Sequence, residues 1–303
     1  MVKIDHLQTE SRNTKTMELD LLSIKEMLTI MNEEDSKVIT AVHEALDDIE
    51  RLVQVVIKVL NQGGRCIFAG AGTSGRLGIL DAVECVPTFS TTDEIIGIIA
   101  GGQGAFIKAV EGAEDSPELA RKELQELALS SKDILIAIAA SGRTPYAIGA
   151  LDYAKEIGAH TGSIACNKNS ELAKHTEIAI EVDAGAEVLT GSTRLKAGTC
   201  QKLILNMITT TSMIGIGKVY GNLMVDMKAT NKKLVERSKR IVMQATGCSY
   251  EVAEDSLIKC DYHSKTAIVM ILLNVDATSA NDKLAQANGF VRKAIQIGWQ
   301  KFL

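Results

Sequence analysis

Four short apolar runs constrain the fold more than anything else in this chain. RCIFAG, EIIGIIAGG, DILIAIAA and TGSIAC are rich in isoleucine and bounded by turn residues, and amphipathic stretches such as SPELARKELQELAL and TPYAIGALDYAKEIG lie between them. Unbroken apolar runs of this length suit strands covered on both faces, and strands that alternate with helices suit a parallel sheet. The expected class is α/β, a doubly wound parallel sheet flanked by helices. The stretch SKVITAVHEALDDIERLVQVVIKVLNQGG, from Ser36, has apolar residues at helical spacing and stops on Gly63 and Gly64, as a helix leading into the first strand would.

The pattern changes after EIAIEVDAGAEVLTGS. A long helical candidate, TRLKAGTCQKLILNMITTTSMIGIGK, is followed by KVYGNLMVDMKATN, which has no clear period. From Asn231 onward every segment reads as helix: NKKLVERSKRIVMQAT, SYEVAEDSLIKC, SKTAIVMILLN, SANDKLAQ and FVRKAIQIGW. The expected division is a sheet domain with N-terminal helices over residues 1–222 and a small C-terminal all-helical domain over 223–303. Trp299 belongs to the helical part and reads as a packing residue.

The turn after the first strand, Gly70-Ala71-Gly72-Thr73-Ser74-Gly75, has the spacing of a dinucleotide loop. Such a site wants an acid at the end of the next strand to hold the ribose. Asp93 and Glu94 stand at its start, which argues against NAD. IAIAASGRTPYAIGAL, from Ile136, repeats the same order of strand, small residues, Ser-Gly-Arg and helix. Strands of a parallel sheet end on one side, so Thr73, Ser74 and Gly75 can converge with Ser141, Gly142 and Thr144 on a single anion at two helix N-termini. The plainer role for these hydroxyls is helix capping, which is compatible with binding.

A formal net charge of -5 speaks against nucleic acid or a membrane surface as partner and in favour of a small molecule. The opening MVKIDHLQTESRNTKTMELD lacks an apolar signal region, and no apolar run reaches membrane-spanning length, so a cytoplasmic protein is expected. Six scattered cysteines read as reduced and mostly buried. The five histidines, His6, His43, His160, His175 and His263, have no metal-ligand spacing, and no nucleophile elbow is present. Neither a metal nor a cofactor is expected.

AGTSGRLGILDAVEC, AVEGAEDS, ASGRTPY and GAEVLTGSTRLKAGTCQK together resemble the N-acetylmuramic acid 6-phosphate etherases, a family of the sugar isomerase fold superfamily. The resemblance extends over nearly the whole chain, including KVYGNLMVDMKATN and the helical tail, whose architecture is similar to a ubiquitin-associated-type bundle. It implies cleavage of the lactyl ether at C3 of the sugar phosphate during cell-wall recycling, and a homodimer. It also implies two catalytic acids, Glu84 assisting lactate departure and Glu114 removing the C2 proton, with the reverse assignment left open.

That chemistry is coherent without metal or redox help. An open-chain aldehyde acidifies the C2 proton, so a base there and an acid at the C3 oxygen permit elimination, after which water adds. Glu84 lies in the apolar stretch VEC, where burial would favour its protonated form. Glu114 lies among Glu111, Asp115 and Glu118, a cluster that otherwise reads as a solvated acidic helix start. A helix unbroken from Gly75 would carry Glu84 about 14 Å away, so either the helix ends early, at Gly78 or Pro87, or Glu84 serves another site, that of a second subunit included. Arg76 and Arg143 either neutralise phosphate or the lactyl carboxylate or pair with a neighbouring acid. Ser192, Thr193 and Lys196 open a further helix that would close the sugar site. An aldose–ketose isomerase or a non-catalytic sugar-phosphate sensor would use the same turns, but neither needs a second carboxyl group as acid.

Overall fold

The computed structural model describes residues 7–229 and 231–300. His6 and the first residues of the polar leader therefore lie outside the described residues. Helices α1 (Ile24–His43) and α2 (Leu46–Asn61) precede the sheet. Ser23 and Glu26 start α1 with a reciprocal capping box. The strands are β1 (Cys66–Gly70), β2 (Ile95–Ile99), β3 (Ile134–Ala139), β4 (His160–Ala165) and β5 (Ile178–Glu181). All pair in parallel, in the order β2-β1-β3-β4-β5. The four apolar runs supply β1 to β4. The fifth strand, IAIE, lies in EIAIEVDAG, outside those runs.

Every residue of β1 and β3 is buried, as expected of central strands covered on both faces. Helices α3 (Gly72–Phe89), α4 (Gly104–Ile107), α5 (Pro117–Glu126), α6 (Pro145–Glu156), α7 (Glu171–Lys174) and α8 (Lys196–Gly215) follow the strands. On one face of the sheet Ile67, Ala69, Leu135 and Ala137 pack with Tyr146, Ala150 and Leu151 of α6 and Leu124 of α5. The remaining helices are α9 (Lys232–Thr246), α10 (Tyr250–Lys259), α11 (Ser264–Leu273), α12 (Ala277–Gln286) and α13 (Val291–Gln300).

The chain forms two compact units, Met1–Val83 with Asp93–Thr209, and Glu84–Thr92 with Thr210–Leu303. The first holds the sheet. The second has its own core, in which Val242, Leu257, Ile268, Val269, Leu284 and Ala294 pack together. Its limits differ from a simple cut at residue 222, because it takes in Glu84–Thr92 and the end of α8.

Candidate active site

The strand order places the site. The chain leaves β1 for β2 on one side and returns to β3 on the other, so the carboxyl ends of β1 and β3 open a crevice at the switch point. The two Ser-Gly turns follow those two strands, and both lie in the sheet unit.

In the first turn α3 starts at Gly72, and the Gly75 N–H donates to the Ala71 carbonyl at 3.3 Å. The N–H groups before it have no partner within the helix and form an anion-seeking end. Gly75 admits no side chain: a Cβ there would come to 2.5 Å from the Gly70 carbonyl oxygen. Ser74 is buried, and its hydroxyl donates to Gln201 Oε1 at 3.0 Å. Thr73 is half-buried. This turn therefore offers a ligand backbone N–H groups and Thr73, while the Ser74 proton is committed to α8.

The second turn differs. Gly142 has φ +69, and a Cβ on it would meet Ser170 Cβ at 2.4 Å, so glycine is required twice over. Its carbonyl accepts from the Leu172 N–H at 2.9 Å. Ser141 Oγ accepts from the Arg143 N–H at 3.4 Å. Thr144 occupies the N-cap of α6, yet among the described residues its side chain makes no cap hydrogen bond. Ser141, Arg143 and Thr144 are all partly exposed. Behind the turn Asn167 Nδ2 donates to the Ala140 carbonyl at 3.0 Å and to Thr9 Oγ1 at 3.1 Å, tying the turn to the N-terminal segment.

Arg76 is engaged by backbone carbonyls. Its Nε donates to the Phe106 carbonyl at 2.7 Å and its Nη2 to the Ala105 carbonyl at 2.9 Å, which fastens the loop after β2. That loop carries Glu114 in a single 3-10 turn, Ala113–Asp115. Gly72, Arg76, Glu111, Gly112 and Glu114 line one cavity of about 190 Å³, so the start of α3 and the Glu114 loop face the same space. The acidic cluster divides here. Glu118 sits in the first turn of α5, which Ser116 caps by accepting from the Leu119 N–H at 3.1 Å, whereas Glu111 and Glu114 belong to the cavity.

One open alternative is decided and two expectations are corrected. The helix does not end early: α3 runs unbroken from Gly72 to Phe89 with Pro87 inside it. Glu84 therefore stands about 14 Å along the axis from Gly75. Nor is Glu84 buried. Successive helical side chains point about 100° apart, so Cys85 turns inward while Glu84 is exposed between the exposed Val83 and Val86. Lys196 does not close a sugar site. It is 1% exposed, with Nζ 2.8 Å from Glu34 Oε2 and 2.9 Å from the Ala184 carbonyl oxygen.

The start of α8 already has an anion. Glu187, buried, accepts from the N–H groups of Lys196 and Ala197 at 3.0 and 2.9 Å. Burial raises the Glu187 carboxyl while those two N–H groups lower it, with burial ahead. Ser192 and Thr193 lie partly exposed in the loop before it. Burial alone would also raise Glu34, but hydrogen bonds from Lys196, Lys37 and Asn13 outweigh it and hold the carboxyl at about 2. Gln201, Asn167 and Glu187 are polar residues to which the sequence analysis assigns no role. Each meets its partner through the fold; Glu187 and Gln201 lie inside the stretch GAEVLTGSTRLKAGTCQK, but spacing alone does not show their partners.

Among the described residues no three His, Cys, Asp or Glu side chains gather as a metal ion requires, and no helix is long and apolar enough to cross a membrane. Five of the six cysteines are buried.

Three family models match in sequence. The N-terminal SIS domain of glucokinase regulatory protein matches residues 48–155, the SIS domain matches 116–210, and the C-terminal lid domain of glucokinase regulatory protein matches 221–267. The phosphoheptose isomerase of Neisseria gonorrhoeae superposes with a TM-score of 0.50 at 13% identity, over 63% of this chain and 98% of that one, a likeness of fold. The N-acetylmuramic acid 6-phosphate etherases of Bacillus mycoides (strain KBAB4) and Bacillus cereus (strain G9842) are each 60% identical over 293 residues, 96% of this chain and 100% of theirs. With that identity over 96% of its length, the chain belongs to the N-acetylmuramic acid 6-phosphate etherase family.

Proposed function

We propose that the two turns and the Glu114 loop form the site at which this chain cleaves the D-lactyl ether at C3 of N-acetylmuramic acid 6-phosphate. The products are N-acetylglucosamine 6-phosphate and D-lactate. The phosphoryl group rests on the N–H groups opening α3 and α6, with Thr73, Ser141 and Thr144 adding hydroxyls and Ser74 and Gly142 fixing the backbone. Arg143 supplies positive charge beside them. Arg76 acts on the protein, holding the Glu114 loop, and Ser192 and Thr193 border the sugar from the loop before α8.

Glu114 removes the C2 proton of the open-chain sugar. The C3–O bond then breaks, its electron pair leaves on the lactyl oxygen, and Glu84 delivers the proton that makes lactate a viable leaving group. Water adds at C3 of the unsaturated aldehyde and a proton returns to C2, so atoms and charge balance. The observation that carries this reading is the cavity shared by Gly72 at the head of α3 and Glu114.

Glu84 lies too far along α3 to reach a sugar held by its own turn, which supports a homodimer in which each chain lends this carboxyl group to the other. Leu80, Val83 and Val86, exposed around it, suit a covered face. The substrate class supports a role in peptidoglycan recycling in the cytoplasm.

The test is turnover of N-acetylmuramic acid 6-phosphate in water labelled with deuterium and heavy oxygen. The expected product carries deuterium at C2 and heavy oxygen on C3 of the sugar. Heavy oxygen in lactate, or lactate release without label at C2, would overturn the elimination route.

A further inference from the structure

The cavity shared by the head of α3 and Glu114 is mostly apolar. Its charged lining is Glu111, Glu114 and Arg76, and Arg76 donates to the Phe106 and Ala105 carbonyls. Around them Ile99, Ala100, Ala105 and Ala113 are buried, while Ala109 and Val110 are exposed at the rim.

These walls are held in place. A Cβ on Gly101 would come to 2.9 Å from Val110 Cβ and 3.3 Å from Ala113 Cβ, so the Gly101 backbone lies against both side chains. The two Arg76 hydrogen bonds fix the loop at Ala105. A cavity of about 190 Å³ lined in this way takes a short apolar group beside the Glu114 carboxylate and little more.

The substrate of the proposed reaction offers two methyl groups, one on the N-acetyl group at C2 and one on the lactyl ether at C3. Chemistry separates them. C2 bears both the proton that Glu114 removes and the acetamido nitrogen. Across a trans amide the methyl carbon lies about 3.8 Å from C2, as consecutive Cα atoms do. A sugar whose C2 proton meets Glu114 therefore brings its acetyl methyl among that acid's neighbours. The lactyl methyl shares its carbon with a carboxylate, and seating it here would set that anion beside Glu111 and Glu114, where like charges repel.

We propose that Val110, with Ala105, Ala109 and Ala113, forms an acyl pocket that receives the methyl of the 2-acetamido group and sets the length of N-acyl chain the protein accepts. The proposal rests on the reading of Glu114 as the base at C2. One methylene more or less in a fitted apolar pocket changes kcat/KM by about 10- to 200-fold, and a pocket with an exposed rim belongs at the lower end.

The experiment is steady-state kinetics on muramic acid 6-phosphates carrying N-formyl, N-acetyl or N-propanoyl groups, with the parent chain, Val110→Ala and Ala109→Leu, and thermal melting as a check on folding. The parent is expected to prefer N-acetyl by about tenfold in kcat/KM over both neighbours. Val110→Ala should open the pocket and raise the ratio of N-propanoyl to N-acetyl turnover about tenfold. Ala109→Leu should narrow it, lowering kcat/KM for N-acetyl about tenfold while N-formyl stays within about threefold. The corresponding N-acylglucosamine 6-phosphates, which carry no ether, should compete in the same rank order and so report the pocket without any bond breaking. Exchanging the lactyl ether for a carboxymethyl ether, which removes the other methyl, should leave the Val110→Ala ratio unmoved. A parent indifferent to acyl length, acyl ratios that both variants leave within about twofold of the parent, or a Val110→Ala effect that follows the ether methyl would overturn the proposal. Should Val110→Ala fail to fold, Ala109→Leu carries the test. Full turnover by Glu114→Gln would remove the underlying reading of the base, a result obtained without touching the acyl pocket.

Discussion

Two sets of charged side chains stand at opposite ends of the exposure scale. Glu34 and Lys196 are 0% and 1% exposed and meet at 2.8 Å. Glu114 is exposed, and Arg76 half-buried, at the rim of a cavity. The inner pair draws together Asn13, α1, the Ala184 carbonyl and the first residue of α8, segments far apart in the chain. An interior ion pair adds little net stability over an apolar substitute, yet leaving one member alone is severe. Its use is to fix which segments meet. The outer residues keep a face toward solvent, which a substrate can displace. Charge that the fold consumes and charge that the fold presents are thus told apart by partners and exposure, and residue type or motif membership does not separate them.

Lys196→Met should strike hardest at this contrast. It strands Glu34 beside Lys37 and Asn13 and should cost about 3–5 kcal/mol of unfolding free energy in urea titrations, with turnover per folded molecule preserved. Parental stability with a sharply raised KM would reverse the assignment. Glu114→Gln should do the opposite, lowering kcat about a thousandfold while the melting midpoint stays where it was.

Acid titration separates the two sets a third way. The Glu34 carboxyl is depressed in the folded chain to about 2 from 4.5, so its contribution is fully present above 4.5 and is lost as pH falls toward 2. On the order of 3 kcal/mol should disappear across that window, and Glu34→Gln should flatten the dependence. A pH-independent urea midpoint over that range would contradict it. The smallest effect concerns the two turns. Ser141→Ala should raise KM about tenfold at unchanged stability, whereas Ser74→Ala, which strips Gln201 of its donor, should cost about 1–2 kcal/mol of stability.

Much of this was legible in the sequence. The apolar runs mark four strands because a central parallel strand must be apolar on both faces, and the repeated Ser-Gly-Arg turn marks both sides of the switch point. The strand β5 escaped because only Ile180 of its four residues is fully buried and it ends on Glu181. The length of α3 was obscured by Gly78 and Pro87. Gly78 is no breaker: a Cβ there would lie 2.9 Å from Phe68 Cβ, so it is a seat for the helix on β1. Lys196 stands in a motif beside helix-start hydroxyls and reads as a binder, because nothing in local spacing points to a glutamate in α1. Pattern reveals what the local chain does. It is silent on who meets whom across the fold.

The central place of β1 also bears on how the protein comes into being. Cys66 pairs with Ile95 on one side and with Ile134 on the other. A nascent chain released only as far as β2 therefore leaves one whole edge of β1 unfilled, with its hydrogen-bonding groups bare and an isoleucine-rich surface open to other chains. The ribosome must deliver β3 before the sheet can close, so the interval of greatest danger for this molecule falls in mid-synthesis.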